Sequence, residues 1–207
     1  MSIDRIYREF FGFSLIILSL FIFVSLLTFS AQDNLEDILS STKIYINNFG
    51  YLGALVSSTI LYYIGYSAYY LALVFFYFGM VFFFSSPSKD LPDKLNLLNN
   101  ILYAFISIFP LSLLYSCFFD SSGNEVGLLL IGSGGVAGDN MQLLLNTFLS
   151  NAILGSLAGL LFLSLQYFIF YDLINLVNSL LKSDTKTPAK TPKAKAIVKE
   201  VKTPDIK

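Results

Sequence analysis

The amino-acid sequence predicts an all-α membrane protein with four transmembrane helices, short helices on the outer surface and a disordered basic C-terminal tail. Three observations carry that expectation. Residues 10–29, 51–84, 101–119 and 152–171 contain no Asp, Glu, Lys or Arg. A hydrocarbon core ~30 Å thick takes roughly 20 apolar residues in a helix, which these stretches meet or approach. Charged residues make up only 13% of the 207, whereas soluble domains carry about 25%. Finally, all but one of the 13 Lys and Arg fall in three clusters: Arg5 and Arg8, Lys89 and Lys94, and the run from Lys182 to Lys207. Basic clusters mark the cytoplasmic side, so both termini are expected there. Loops 30–50 and 120–151 then face outward, with Lys43 as their only basic residue.

Residues 1–9 form a short amphipathic lead-in. The first span, 10–29, is rich in Leu, Ile and Phe. Its apolar length exceeds the usual 7–15 residues of a signal-peptide core, so it is read as a retained helix. Loop 30–50 is polar. Residues 51–84 would make a helix about 51 Å long, well beyond the bilayer core. Ser57, Ser58 and Thr59 place its first third outside the core, so the span is set at 61–84, preceded by an outer-surface helix or turn starting near Gly50–Ala54. As one helix, 61–84 collects Tyr63, Tyr66, Tyr70 and Tyr77 within roughly 60°. Gly65, Ala68, Ala72 and Gly79 collect on the opposite face. Small residues admit a close neighbouring helix, and tyrosine hydroxyls want hydrogen-bond partners. Both faces can pack inside one bundle, or one can meet a second copy.

A cytoplasmic loop follows, then the third span at 101–119, which Pro110 is expected to interrupt. Loop 120–151 holds six of the 13 glycines. It is read as short surface helices on the membrane joined by a glycine turn, with a re-entrant hairpin as the alternative. The fourth span, 152–171, contains Gly155 and Gly159 at G-x-x-x-G spacing, which serves self-association or contacts within one subunit. Residues 1–181 are taken as the membrane domain. Residues 182–207, with eight Lys and recurring Thr-Pro, read as a flexible cytoplasmic linker.

Several chemistries are not expected. The chain has no His and one cysteine, Cys117, so His-based and Cys-cluster metal sites and an intrachain disulfide are excluded; Cys117 is taken as a packing residue. No glycine precedes a lysine, which removes a P-loop. No ionisable residue lies inside a span, which argues against ion-coupled carriers and pumps. No catalytic site, cofactor or metal is expected, and the protein is not read as an enzyme.

The order of these features resembles the N-terminal four-span membrane domain of the FtsK family of bacterial DNA translocases, over roughly residues 5–180. Gly50, Gly53 and Ala54 match the family's G-x-x-G-A element. Gly65, Ala68 and Tyr69 match its G-x-x-A-Y element. Ser133, Gly134, Gly135 and Gly138 match its S-G-G-x-x-G element ahead of the last span. Gly79, Gly155 and Gly159 are the further helix-packing candidates. The resemblance implies a scaffold in the bacterial inner membrane at the division septum, acting in cell division and chromosome partition. Implied partners are divisome membrane proteins, further copies of the chain (a hexamer in the family) and a cytoplasmic ATPase motor, whose sequence is not within these residues. Direct DNA binding by the tail is not expected. The rival expectation is a small passive channel or transport accessory lined by the tyrosine face and the third span around Pro110.

Overall fold

The computed structural model describes residues 3–33, 45–84, 94–119 and 133–184. Among them are seven α-helices and no strand. They are α1 (Ile3–Leu27), α2 (Gly50–Ile64), α3 (Ala68–Phe84), α4 (Lys94–Ile106), α5 (Ile108–Phe118), α6 (Gly135–Leu145) and α7 (Asn151–Asp184). Four stretches are long and apolar enough to cross a membrane: Ile6–Leu27, Gly50–Phe84, Leu97–Phe118 and Asn151–Tyr171. The fold is that of an all-α membrane protein. The first part of loop 120–151, through residue 132, and the linker from residue 185 onward lie outside the described residues.

Helices α1 and α3 run antiparallel, in contact along most of their length. A Cβ on Gly12 would sit 2.5 Å from the Phe83 nitrogen and 2.8 Å from the Gly79 carbonyl oxygen. A Cβ on Gly79 would sit 2.9 Å from the Ile16 nitrogen. Two glycines therefore bring the backbones together at one end. Midway, the Ser19 hydroxyl donates to the Ala72 carbonyl at 2.7 Å. At the far end, the Tyr69 hydroxyl donates to the Leu26 carbonyl at 3.2 Å. Ile22, Leu26, Ala68 and Ala72, with Leu61 of α2, form the apolar cluster where they meet. Ala68, Ala72 and Gly79 of the small face are thus spent on the first span, within one chain. Burying apolar side chains against a partner adds little in lipid, where the tails are equally apolar, so close packing and short hydrogen bonds must hold this pair.

Helices α5 and α7 make the second pair. A Cβ on Gly155 would strike the Phe118 ring, and one on Gly159 would lie 3.0 Å from Leu114 Cδ1. The G-x-x-x-G spacing is therefore occupied inside the subunit. Farther along, Tyr103 of α4 meets Phe168 of α7 with centroids 5.8 Å apart. The two pairs join through Val74, Phe78, Ala104 and Ile169, and through Gln166, whose amide donates to the Tyr70 hydroxyl at 2.7 Å.

The second span departs from a single helix over 61–84. Helix α2 ends at Ile64, residues Gly65–Ser67 form a 3₁₀ turn, and α3 starts at Ala68. Gly65 has φ +57° and ψ −143°, a backbone region essentially reserved for glycine. That residue resets the helical phase, so the tyrosine face does not stay together. Tyr63 is exposed, whereas Tyr66 packs on Tyr115 and Tyr70 on Phe162. Both ends of α2 lie near the last turns of α1. Phe49, just ahead of α2, stacks on Phe21, while Ala68, just beyond it, lies in the cluster with Ile22 and Leu26. A 15-residue helix is about 22 Å long, so α2 crosses the end of α1 transversely.

The third span breaks near Pro110, as its chemistry requires. Proline has no N–H to give the carbonyl four residues back. The helix is interrupted at Ser107 and resumes with Leu111 N–H on the Ser107 carbonyl at 3.2 Å. Pro110 itself is buried.

Substituting Gly79→Leu is expected to lower the unfolding free energy in detergent by about 1–3 kcal/mol, because the added side chain must fit where backbone already lies. Leu73→Ala, on an exposed face of α3, should change it by less than ~0.5 kcal/mol. Titration with a denaturing detergent, followed by circular dichroism, measures both.

Candidate functional site: a backbone lock at one end of the bundle

Two of the three glycine elements singled out in the sequence meet at the break in the second span. The Ser133–Gly134 turn lies directly against Gly65–Ser67. The Tyr66 N–H donates to the Ser133 carbonyl at 2.9 Å. A Cβ on Gly65 would strike that same carbonyl and sit 2.6 Å from the Gly135 nitrogen. A Cβ on Gly135 would strike the Gly65 nitrogen and sit 2.9 Å from the Tyr62 carbonyl. Gly135 also has φ +66°. Each glycine is therefore required twice, by its backbone angle and by the backbone facing it.

The same turn is seated on the third span. Ser112 donates to the Gly134 carbonyl, and the Ser133 hydroxyl donates to the Tyr115 carbonyl at 2.8 Å. Ser116 bonds the Asp139 carboxylate at 2.5 Å. A Cβ on Gly134 or Gly138 would run into the Ser112 carbonyl and the Ser116 side chain. Gly134, just ahead of α6, and Gly138, one turn later, thus oppose Ser112 and Ser116, one turn apart on α5. This is small-against-small packing. Ser112 and Ser116 stand at a four-residue spacing visible in the sequence, but nothing in the sequence says what they face.

The first glycine element forms a separate cluster at the same end. Gly50 begins α2. Gly53 and Ala54 are buried, and a Cβ on Gly53 would strike the Asn47 side chain. Asn47 bridges the first two spans: its amide donates to the Ser25 carbonyl at 2.8 Å and lies 3.4 Å from the Ser57 hydroxyl. Asp33 is buried and accepts the N–H groups of Ile46 and Asn47 at 3.1 and 3.0 Å. The cluster therefore ties the end of α1 to the start of α2. Asn47 and Asp33 were missed as individual residues because polar side chains are ordinary in a loop. Ala68 and Tyr69 pack on α1.

Among the described residues, every buried side-chain nitrogen or oxygen has a hydrogen-bond partner, and no three His, Cys, Asp or Glu side chains gather. Cys117 is half-buried. Both clusters are assemblies of backbone, hydroxyls and glycines. They can fix geometry; their groups offer no paired acid and base.

The architecture is that of a multi-pass α-helical membrane domain whose spans are locked at one end by glycine turns. The chain belongs to the family described as the 4TM region of DNA translocase FtsK/SpoIIIE, whose model matches residues 4–181. No curated protein and no solved structure matches the chain.

Gly65→Ala and Gly135→Ala should each loosen the turn, seen as faster amide exchange at Tyr66. Their effects should be non-additive, with a coupling of about 0.5–3 kcal/mol, because they face one another. Additive losses would show that the two glycines do not share a contact.

Proposed function

We propose that this domain anchors and scaffolds an FtsK-like DNA translocase at the bacterial division septum, serving cell division and chromosome partition. It lies in the inner membrane with both termini cytoplasmic. The ATP-driven step belongs to a cytoplasmic motor reached through the Lys-rich linker, in this polypeptide or another. The domain itself is not an enzyme. Further copies of the chain, six if it follows the family, and divisome membrane proteins are its expected partners.

The observation that carries this reading is the family match across residues 4–181. The geometry supports it. Anchors need a fixed relation between spans, and the lock supplies that with small residues and satisfied polar groups. The channel alternative drew on the tyrosine face. Tyr66 and Tyr70 are engaged by Tyr115, Phe162 and Gln166, so these two tyrosines serve packing rather than a pore.

A C-terminally fluorescent version of the full chain, expressed in dividing cells, should form a band at the division site. An even distribution around the envelope, with the fusion intact and membrane-inserted, would overturn the septal role. Pure protein in liposomes should pass no more small solute than empty vesicles; solute flux would favour the channel.

A further inference from the structure

The connection between α6 and α7 carries an unusual surface. Leu143, Leu144 and Phe148 are 70%, 71% and 80% exposed, and Leu149 is also exposed. From Asn140 to Tyr171 the chain has no Asp, Glu, Lys or Arg. In water, a turn of this length would ordinarily carry charge, and its apolar residues would not lie open together.

The depth of this segment follows from what flanks it. Helix α6 begins on Ser112 and Ser116, below the end of α5 at Phe118. Helix α7 starts at Asn151, and Gly155, one turn later, lies against Phe118. The connection is therefore about 6 Å beyond the level of Phe118. Interfacial zones add roughly 5–8 Å to each side of the hydrocarbon core, so this is interfacial depth. The exposed side chains continue the lipid-facing surface of α7, where Ile153, Leu157, Leu160 and Leu161 are also exposed.

The backbone is prepared for that environment as well. Asn146 N–H donates to the Gln142 carbonyl at 2.8 Å, and Phe148 and Leu149 N–H both donate to the Leu145 carbonyl at 2.9 and 3.0 Å. Leu154 N–H donates to the Ser150 carbonyl at 3.0 Å. A connection bonded in this way enters lipid with few orphan backbone groups.

We infer that Leu143, Leu144, Phe148 and Leu149 are immersed in the adjacent leaflet, at the boundary between glycerol and upper acyl chains, as a second membrane contact beside the spans. The contact is apolar. With no basic residue between 133 and 171, it does not select anionic headgroups. The inference rests on the depth of the connection and is independent of the septal role.

The chain has no tryptophan, so Phe148→Trp introduces a single selectively excited reporter at an exposed site. The full chain would be reconstituted in phosphatidylcholine vesicles, with Leu157→Trp on the exposed face of α7 as the insertion control. For Phe148→Trp, lipid brominated high on the acyl chain should quench emission severalfold, iodide should quench it weakly, and adding phosphatidylglycerol should change neither. Strong iodide quenching without bromolipid quenching, in protein whose Leu157→Trp counterpart is lipid-quenched, would overturn the inference. Protection from both quenchers would overturn it in favour of a protein partner on this surface.

Discussion

Everything at one end of this bundle depends on the approach of two backbones at Gly65 and Gly135. Each occupies a position where a Cβ would strike the other's backbone nitrogen or lie beside it, and each has positive φ. The contact does three jobs together. It turns the second span through a sharp corner, so that α2 lies across the end of α1 while α3 runs alongside it. It gives the Tyr66 N–H, freed by that corner, a carbonyl from the glycine turn. It also brings that turn onto Ser112 and Ser116, coupling the second and third spans. Side chains of any size would separate these elements and leave backbone groups unsatisfied where water is scarce.

The same logic runs through the rest of the bundle. Lipid supplies no hydrophobic drive between helices, so the contacts that matter are those of least volume. Gly12 and Gly79 bring α1 and α3 together; Gly155 and Gly159 admit Phe118 and Leu114. Buried serines serve as small residues whose hydroxyls find nearby carbonyls: Ser25 bonds Phe21, Ser19 bonds Ala72, and Ser57 bonds Gly53. Large aromatics remain mostly on the outside or at the seams between pairs.

A domain built this way is suited to holding rather than reacting. Its conspicuous residues are glycine, serine and alanine, and their contribution is position. Helix α7 runs unbroken from Asn151 beside the lock to Asp184 at the start of the lysine-rich segment. One continuous helix therefore runs from the locked end of the bundle to the opposite end.

The all-α membrane class, the four apolar stretches and the membership of the FtsK/SpoIIIE membrane family were legible in the chain's residues alone, because hydrocarbon thickness and absence of charge are local properties. The sequence also marked the glycines of the lock, though not their use. Whether Ala72 and Gly79 met a neighbour or a second copy was open until α1 was seen lying against them. The phase of the tyrosines was misread because it assumed an unbroken helix, and the corner at Gly65 exists only where Ser133 and Gly135 come to meet it. Ser112, Ser116, Asn47 and Gly12 were unremarkable in isolation. Their roles are pairwise, between residues far apart in the chain, and a pairwise contact is decided only when tertiary structure brings its second member into place.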